Sequence, residues 1–61
     1  MIHATTYPDN TGFIELHNCV DDNGRKVTYA KTFEHIANMQ QAAQELQTVY
    51  NAGIVWLYPS E

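Results

Sequence analysis

The chain has 61 residues, 44% of them hydrophobic, and a formal charge of −4 from seven acidic and three basic side chains. That length allows one small domain, 1–61, of marginal stability, and the apolar share excludes a chain disordered by composition. Three cations neutralise few phosphates, which argues against nucleic-acid binding; no apolar run reaches membrane-spanning length, and the single cysteine, Cys19, excludes an internal disulfide.

Met1-Ile2-His3-Ala4-Thr5-Thr6 carries neither the basic nor the apolar stretch of a signal peptide. With a lone thiol suited to a reducing compartment, this leads to the expectation of a cytoplasmic protein. Ile2 to Tyr7 can form a first strand, and Pro8-Asp9-Asn10-Thr11-Gly12 is rich in turn residues.

The strongest local signal comes next. Gly12 to Val20 and Val27 to Phe33 alternate in polarity around Asp21-Asp22-Asn23-Gly24. Asn23-Gly24 predicts a two-residue type I′ turn, because both central positions need positive φ. Val20 then faces Val27, Asn18 faces Tyr29, Leu16 faces Lys31 and Ile14 faces Phe33. One face collects Ile14, Leu16, Val20, Val27, Tyr29 and Phe33. Asp21 falls opposite Lys26 and Asp22 opposite Arg25, both favourable cross-strand pairs. A three-residue loop would set Val20 opposite Lys26 and divide the apolar residues between two faces, so this reading rejects it.

Met39, Ala42, Ala43, Leu46, Val49 and Tyr50 recur at helical spacing, and glutamines fill the other side. The pattern predicts a helix over 37–51. Asn38 with Gln41 has the form of a capping box, Thr32 is a rival cap, and Gly53 suits the left-handed position after the end. Ile54-Val55-Trp56-Leu57-Tyr58 reads as a strand stopped by Pro59, apolar on both sides and therefore expected to be covered on both. The order is β-β-β-α-β: an α+β domain with a small antiparallel sheet and one helix packed on one face.

Catalytic constellations are missing from the sequence. Glu15, His17 and Cys19 alternate along one strand and would share a face with His3 nearby, a possible metal set, but the paired short spacings of strong metal sites are absent. His17 with Cys19 lacks a third orienting group for thiol chemistry. The expectation is therefore no enzyme, no cofactor and no metal. Exposed apolar surface on so small a domain points instead to a protein partner. Tyr7, Trp56 and Tyr58 are residue types that anchor interfaces, and Arg25, Lys26 and Lys31 could steer toward an acidic partner. Trp56 has core filling as its plain alternative, and the three cations have a solvated strand edge. One helix cannot cover two sheet faces, so a homodimer is also expected, joined through the free face or an edge strand.

Val27-Thr28-Tyr29-Ala30-Lys31-Thr32-Phe33, then a helix, then Tyr50-Asn51-Ala52-Gly53-Ile54-Val55 resembles the small early proteins by which lytic phages inhibit host RNA polymerase. The likeness spans about residues 13 to 58 and rests on element order and the aromatic-x-Ala-Gly-apolar junction. It implies a non-enzymatic inhibitor or adaptor that binds a host protein in the host cytoplasm. Two alternatives stand beside that expectation: a nucleic-acid reader using a three-stranded sheet, and a small metal-binding protein using His17 and Cys19.

Overall fold

A computed structural model describes residues 1–59. The chain runs through β1 (Ile2–Thr6), β2 (Gly12–Leu16), β3 (Cys19–Val20), β4 (Lys26–Val27), β5 (Ala30–Phe33), α1 (Ile36–Tyr50) and β6 (Ile54–Leu57). β1, β2, β5 and β6 form a four-stranded sheet in the order β5-β2-β1-β6, and α1 packs on one face of it. The fold is α+β, as the sequence predicts.

The β1–β2 connection is built by short polar side chains. Asp9 accepts hydrogen bonds from the backbone and hydroxyl of Thr11, Asn10 takes positive φ (72°), and Tyr7 and Thr11 close the turn through their backbones. Asn and Asp tolerate such geometry because their side chains replace backbone partners. The result sets Ile2 opposite Leu16 and Ala4 opposite Ile14. All four are buried.

The hairpin is where the expected register fails. Asn23 does not take positive φ; Gly24 alone does, at 77°. The Asp21 carboxylate accepts the N–H groups of Asn23 and Arg25, and the Asp21 carbonyl accepts that of Gly24. These bonds favour a three-residue loop with glycine at the left-handed position. Val20 therefore pairs with Lys26 and Cys19 with Val27, the register that the sequence argument rejected. The apolar sets still meet, because Asn18 takes φ 58° and inserts one extra residue between β2 and β3. Beyond that bulge Ile14 faces Lys31 and Gly12 faces Phe33, rather than the predicted Ile14–Phe33 pair. The bulge also turns Cys19 inward and leaves Val20 56% exposed. Asp21 meets Arg25 through the backbone, and the expected Asp21–Lys26 and Asp22–Arg25 ion pairs are absent among the described residues.

The helix spans the predicted region but is capped differently. Its N-cap is His35, without a side-chain bond, and Ile36 N–H instead reaches the Asn10 carbonyl at 3.0 Å. A tertiary contact thus starts the helix two residues ahead of Asn38. Asn51, not Gly53, supplies the left-handed C-cap (φ 50°). Met39 and Ala43 are fully buried, with Leu46 and Tyr50 packed beside them. Val49 lies at the margin of that stripe and is 71% exposed, contrary to expectation.

β5 and β6 run in the same direction, since β5 is antiparallel to β2, β2 to β1, and β6 parallel to β1. Such a connection needs a crossover, and α1 makes it by passing over β2 and β1. Gly12 permits the close approach: a Cβ there would lie 2.8 Å from Met39 Cβ. The core is Ile2, Ala4, Ile14, Leu16, Cys19, Met39 and Ala43. β6 is an outer strand with the helix on one side only, so the expected cover on both sides is not found; Leu57 is 39% exposed.

Candidate functional site

Alternation fixes the second face of the sheet. Because Ile2, Ala4, Ile14 and Leu16 turn toward the helix, His3, Thr5, Phe13 and Glu15 turn away from it. Val55 sits beside His3 and Leu57 beside Thr5, so β6 adds these two aliphatic side chains to the same face. No other element of the described chain covers these residues.

The face is polar at one end and apolar at the other. At the polar end His17 Nε2 lies 2.5 Å from Glu15 Oε1, and the His3 and His17 rings stack with centroids 4.1 Å apart. Register brings them together, with His3 directly opposite Glu15. At the other end Thr5, Tyr7, Leu57, Tyr58 and Pro59 line a shallow cleft. Tyr7 follows β1 and Tyr58 follows β6, so the parallel pairing of those strands places the two tyrosines at the same end.

Of the residues expected to bind a partner, Tyr7 and Tyr58 therefore meet. Trp56 does not join them on the open face. It stands on the helix side of β6, where it lines a groove with Gln40, Gln44 and Tyr58, and is 37% exposed. Arg25 and Lys26 sit on the β3–β4 arm, whereas Lys31 lies on the β5 edge with Nζ 5.1 Å from the centre of the Phe33 ring. The three cations do not form one patch. Their cation-rich stretch of sequence is divided because the hairpin arm leaves the main sheet before β5 joins it.

His17 and Cys19 are also separated. The Asn18 bulge sends the Cys19 thiol into the core, where it is 4% exposed and approaches the His17 backbone carbonyl rather than its ring. Among the described residues no three His, Cys, Asp or Glu side chains are placed to hold one ion. No described helix is long and apolar enough to cross a membrane.

Sequence reasoning missed Thr5 and Phe13 as members of this surface, and Pro59 as its rim. A signal was present for Phe13: it alternates with Ile14 and must face away from whatever Ile14 faces. None was present for the His3–His17 stack, which depends on the β1–β2 register. Comparison with family models, curated proteins and solved structures finds no match to this chain.

Proposed function

We propose that the chain is a non-enzymatic protein-binding module that holds a partner protein against the open face of its sheet. The observation that carries this reading is the contrast in cover: the helix closes one face, while on the other Phe13 and Val55 are only half-buried and Leu57 is exposed in the Tyr7–Tyr58 cleft. Apolar surface rimmed by polar groups is the usual form of an interaction site, and tyrosine is a favoured anchor. The partner would present an apolar or aromatic side chain to the cleft and polar groups to His3, His17 and Glu15. The resemblance to phage inhibitors of host RNA polymerase makes an inhibitor or adaptor acting on a bacterial protein the role in view, with the host cytoplasm as its place.

The test begins with affinity capture from a bacterial lysate and identification of the retained protein by mass spectrometry. Binding is then measured between purified components. Thr5→Lys and Tyr7→Ala, both on the open face and carried by β1 and the residue after it rather than by β6 itself, should each weaken binding at least about tenfold, as interface anchors do. Gln47→Ala, on the exposed side of the helix, should leave it unchanged. Equal binding by all variants would remove the open face from the account.

A further inference from the structure

The two outer strands of the sheet are guarded very differently. Unpaired strand edges are templates for another strand, and proteins commonly block them with charge, proline or a covering segment. β5 carries Lys31 in its centre. β6 carries nothing of the kind, and from Leu46 to Ser60 the chain has no charged side chain at all.

The backbone pattern of β6 can be read from its neighbour. Ile2 N–H donates to the Gly53 carbonyl at 2.8 Å, and Ile2 lies beside Ile54 in the parallel ladder. In such a ladder alternate residues direct both backbone groups to the same side. Gly53, Val55 and Leu57 therefore bond toward β1, and Ile54 and Trp56 turn their N–H and C=O groups to the open edge.

We propose that β6 pairs antiparallel with β6 of a second copy, about a two-fold axis that passes between the two Trp56 residues. This goes beyond the partner-binding reading and does not depend on it. A two-fold axis normal to the sheet keeps each face on its own side, so a residue can oppose only one from the same face. The residues with outward backbone groups make the hydrogen-bonded pairs. Trp56 then opposes its own copy on the helix side, and Val55 opposes Leu57 on the open side.

Every cross-strand pair in that register is apolar on both faces, which is what favours a second copy over a foreign strand. Each copy bears a charge of −4, and this edge lets two of them meet with no carboxylate in the contact. Lys31 at the far edge opposes continued addition, so the assembly closes as a dimer rather than growing. Both helices end on the same side of one continuous sheet. On the other side the Val55–Leu57 pairs join the two Tyr7 clefts into one apolar band.

Sedimentation equilibrium and amide hydrogen exchange on the full chain test this together. The chain should be dimeric, and the Ile54 and Trp56 amides should become protected as concentration rises. The Val55 amide, bonded to β1, should be protected at every concentration. Trp56→Lys and Trp56→Glu should each associate at least about tenfold more weakly, and an equimolar mixture of the two should recover association through opposite charges at the axis. Thr32→Lys on the β5 edge should change nothing. A monomer at high concentration, with Ile54 and Trp56 amides exchanging freely, would overturn the proposal without need of any variant. So would a wild-type monomer whose two amides become protected only on adding the captured bacterial protein, because the edge would then belong to a foreign strand. Neither result bears on Thr5 and Tyr7, so the open-face reading stands or falls separately.

Discussion

The two faces of this sheet are made from the same four strands, yet only one has been closed. On the helix side Ile2, Ile14 and Met39 are completely buried, and Gly12 lets the helix come close enough to exclude side-chain atoms from the gap. On the open side the comparable positions, Phe13 and Val55, are half-buried by their neighbours in the sheet alone. The described residues include apolar side chains enough for two faces but only one helix to cover them. The closed face should therefore hold most of the folding energy, and the open face should hold most of the capacity to bind.

The sharpest way to break that contrast is to truncate one side chain on each face. Met39→Ala should destabilise the domain by about 2–5 kcal/mol, since a fully buried methionine leaves both lost transfer energy and a cavity. Phe13→Ala should cost about 1–2 kcal/mol, because its side chain is only half-buried and leaves no enclosed cavity. Urea unfolding of both variants in dilute solution measures this. A Phe13 variant as unstable as the Met39 variant would mean that the open face is a second core.

The next effect tests why the helix can sit where it does. Gly12→Ala should cost about 1–3 kcal/mol through overpacking, because its new Cβ would meet Met39 Cβ and Cγ at 2.8 Å. Part of that clash disappears when Met39 is shortened. The Gly12→Ala, Met39→Ala double variant should thus lose less than the sum of the two single losses. Strict additivity in thermal or urea unfolding would show that the two positions do not touch.

The contrast between faces also marks what the sequence made legible. Period-two alternation in 12–16 and the helical stripe around Met39 and Leu46 both report burial by one neighbouring layer, so they yield the right elements and the right covered side. The hairpin register is of another kind. It turns on Asp21, whose carboxylate selects the three-residue loop, and on Asn18, whose positive φ then restores the apolar match. Neither effect has a periodic trace; two departures from the simple pattern compensate, and alternation alone cannot see them. The helix cap depends on the Asn10 carbonyl, 26 positions before Ile36 in the chain, so no local capping rule can find it. The open face could be read only in part. Tyr7 and Tyr58 were recognisable as residue types, but their meeting depends on β6 lying parallel to β1, a long-range choice that composition does not record.

A smaller effect sharpens the account of the closed face. Thr6 Oγ1 is buried there without a hydrogen-bond partner. Thr6 lies opposite Gly12, at the point where the helix comes nearest. An unsatisfied buried hydroxyl costs more than the methyl group that could replace it at nearly the same volume. Thr6→Val should therefore raise stability by about 1 kcal/mol, read as a higher urea midpoint with an unchanged slope. A loss of stability would show that the hydroxyl finds a partner in solution.

The smallest expected effect lies in the turn that joins the first two strands and also meets the helix. Asp9 is held below the ordinary aspartate pKa, first by the Thr11 hydroxyl and then by the Thr11 backbone N–H, both of which favour the charged carboxylate. A carboxyl whose folded pKa is lowered stabilises the fold above its unfolded pKa, and that contribution fades as pH falls through the lowered folded value. The change therefore belongs on the acid side of the ordinary aspartate range, and pH 7 lies outside it. Thr11→Val removes the hydroxyl but leaves the backbone donor. Asp9 should then titrate at a higher pH than in the wild type, while remaining below an unperturbed aspartate. Carbon-13 shifts of the Asp9 carboxyl, followed through the acid range, report this directly. An unchanged titration would mean that the hydroxyl bond does not form in solution. Because Asn10 of the same turn accepts the first N–H of the helix, the amide of Ile36 is a second probe. If the turn loosens on protonation of Asp9, Ile36 exchange should quicken over the same pH window, and in Thr11→Val that window should move upward with the carboxyl.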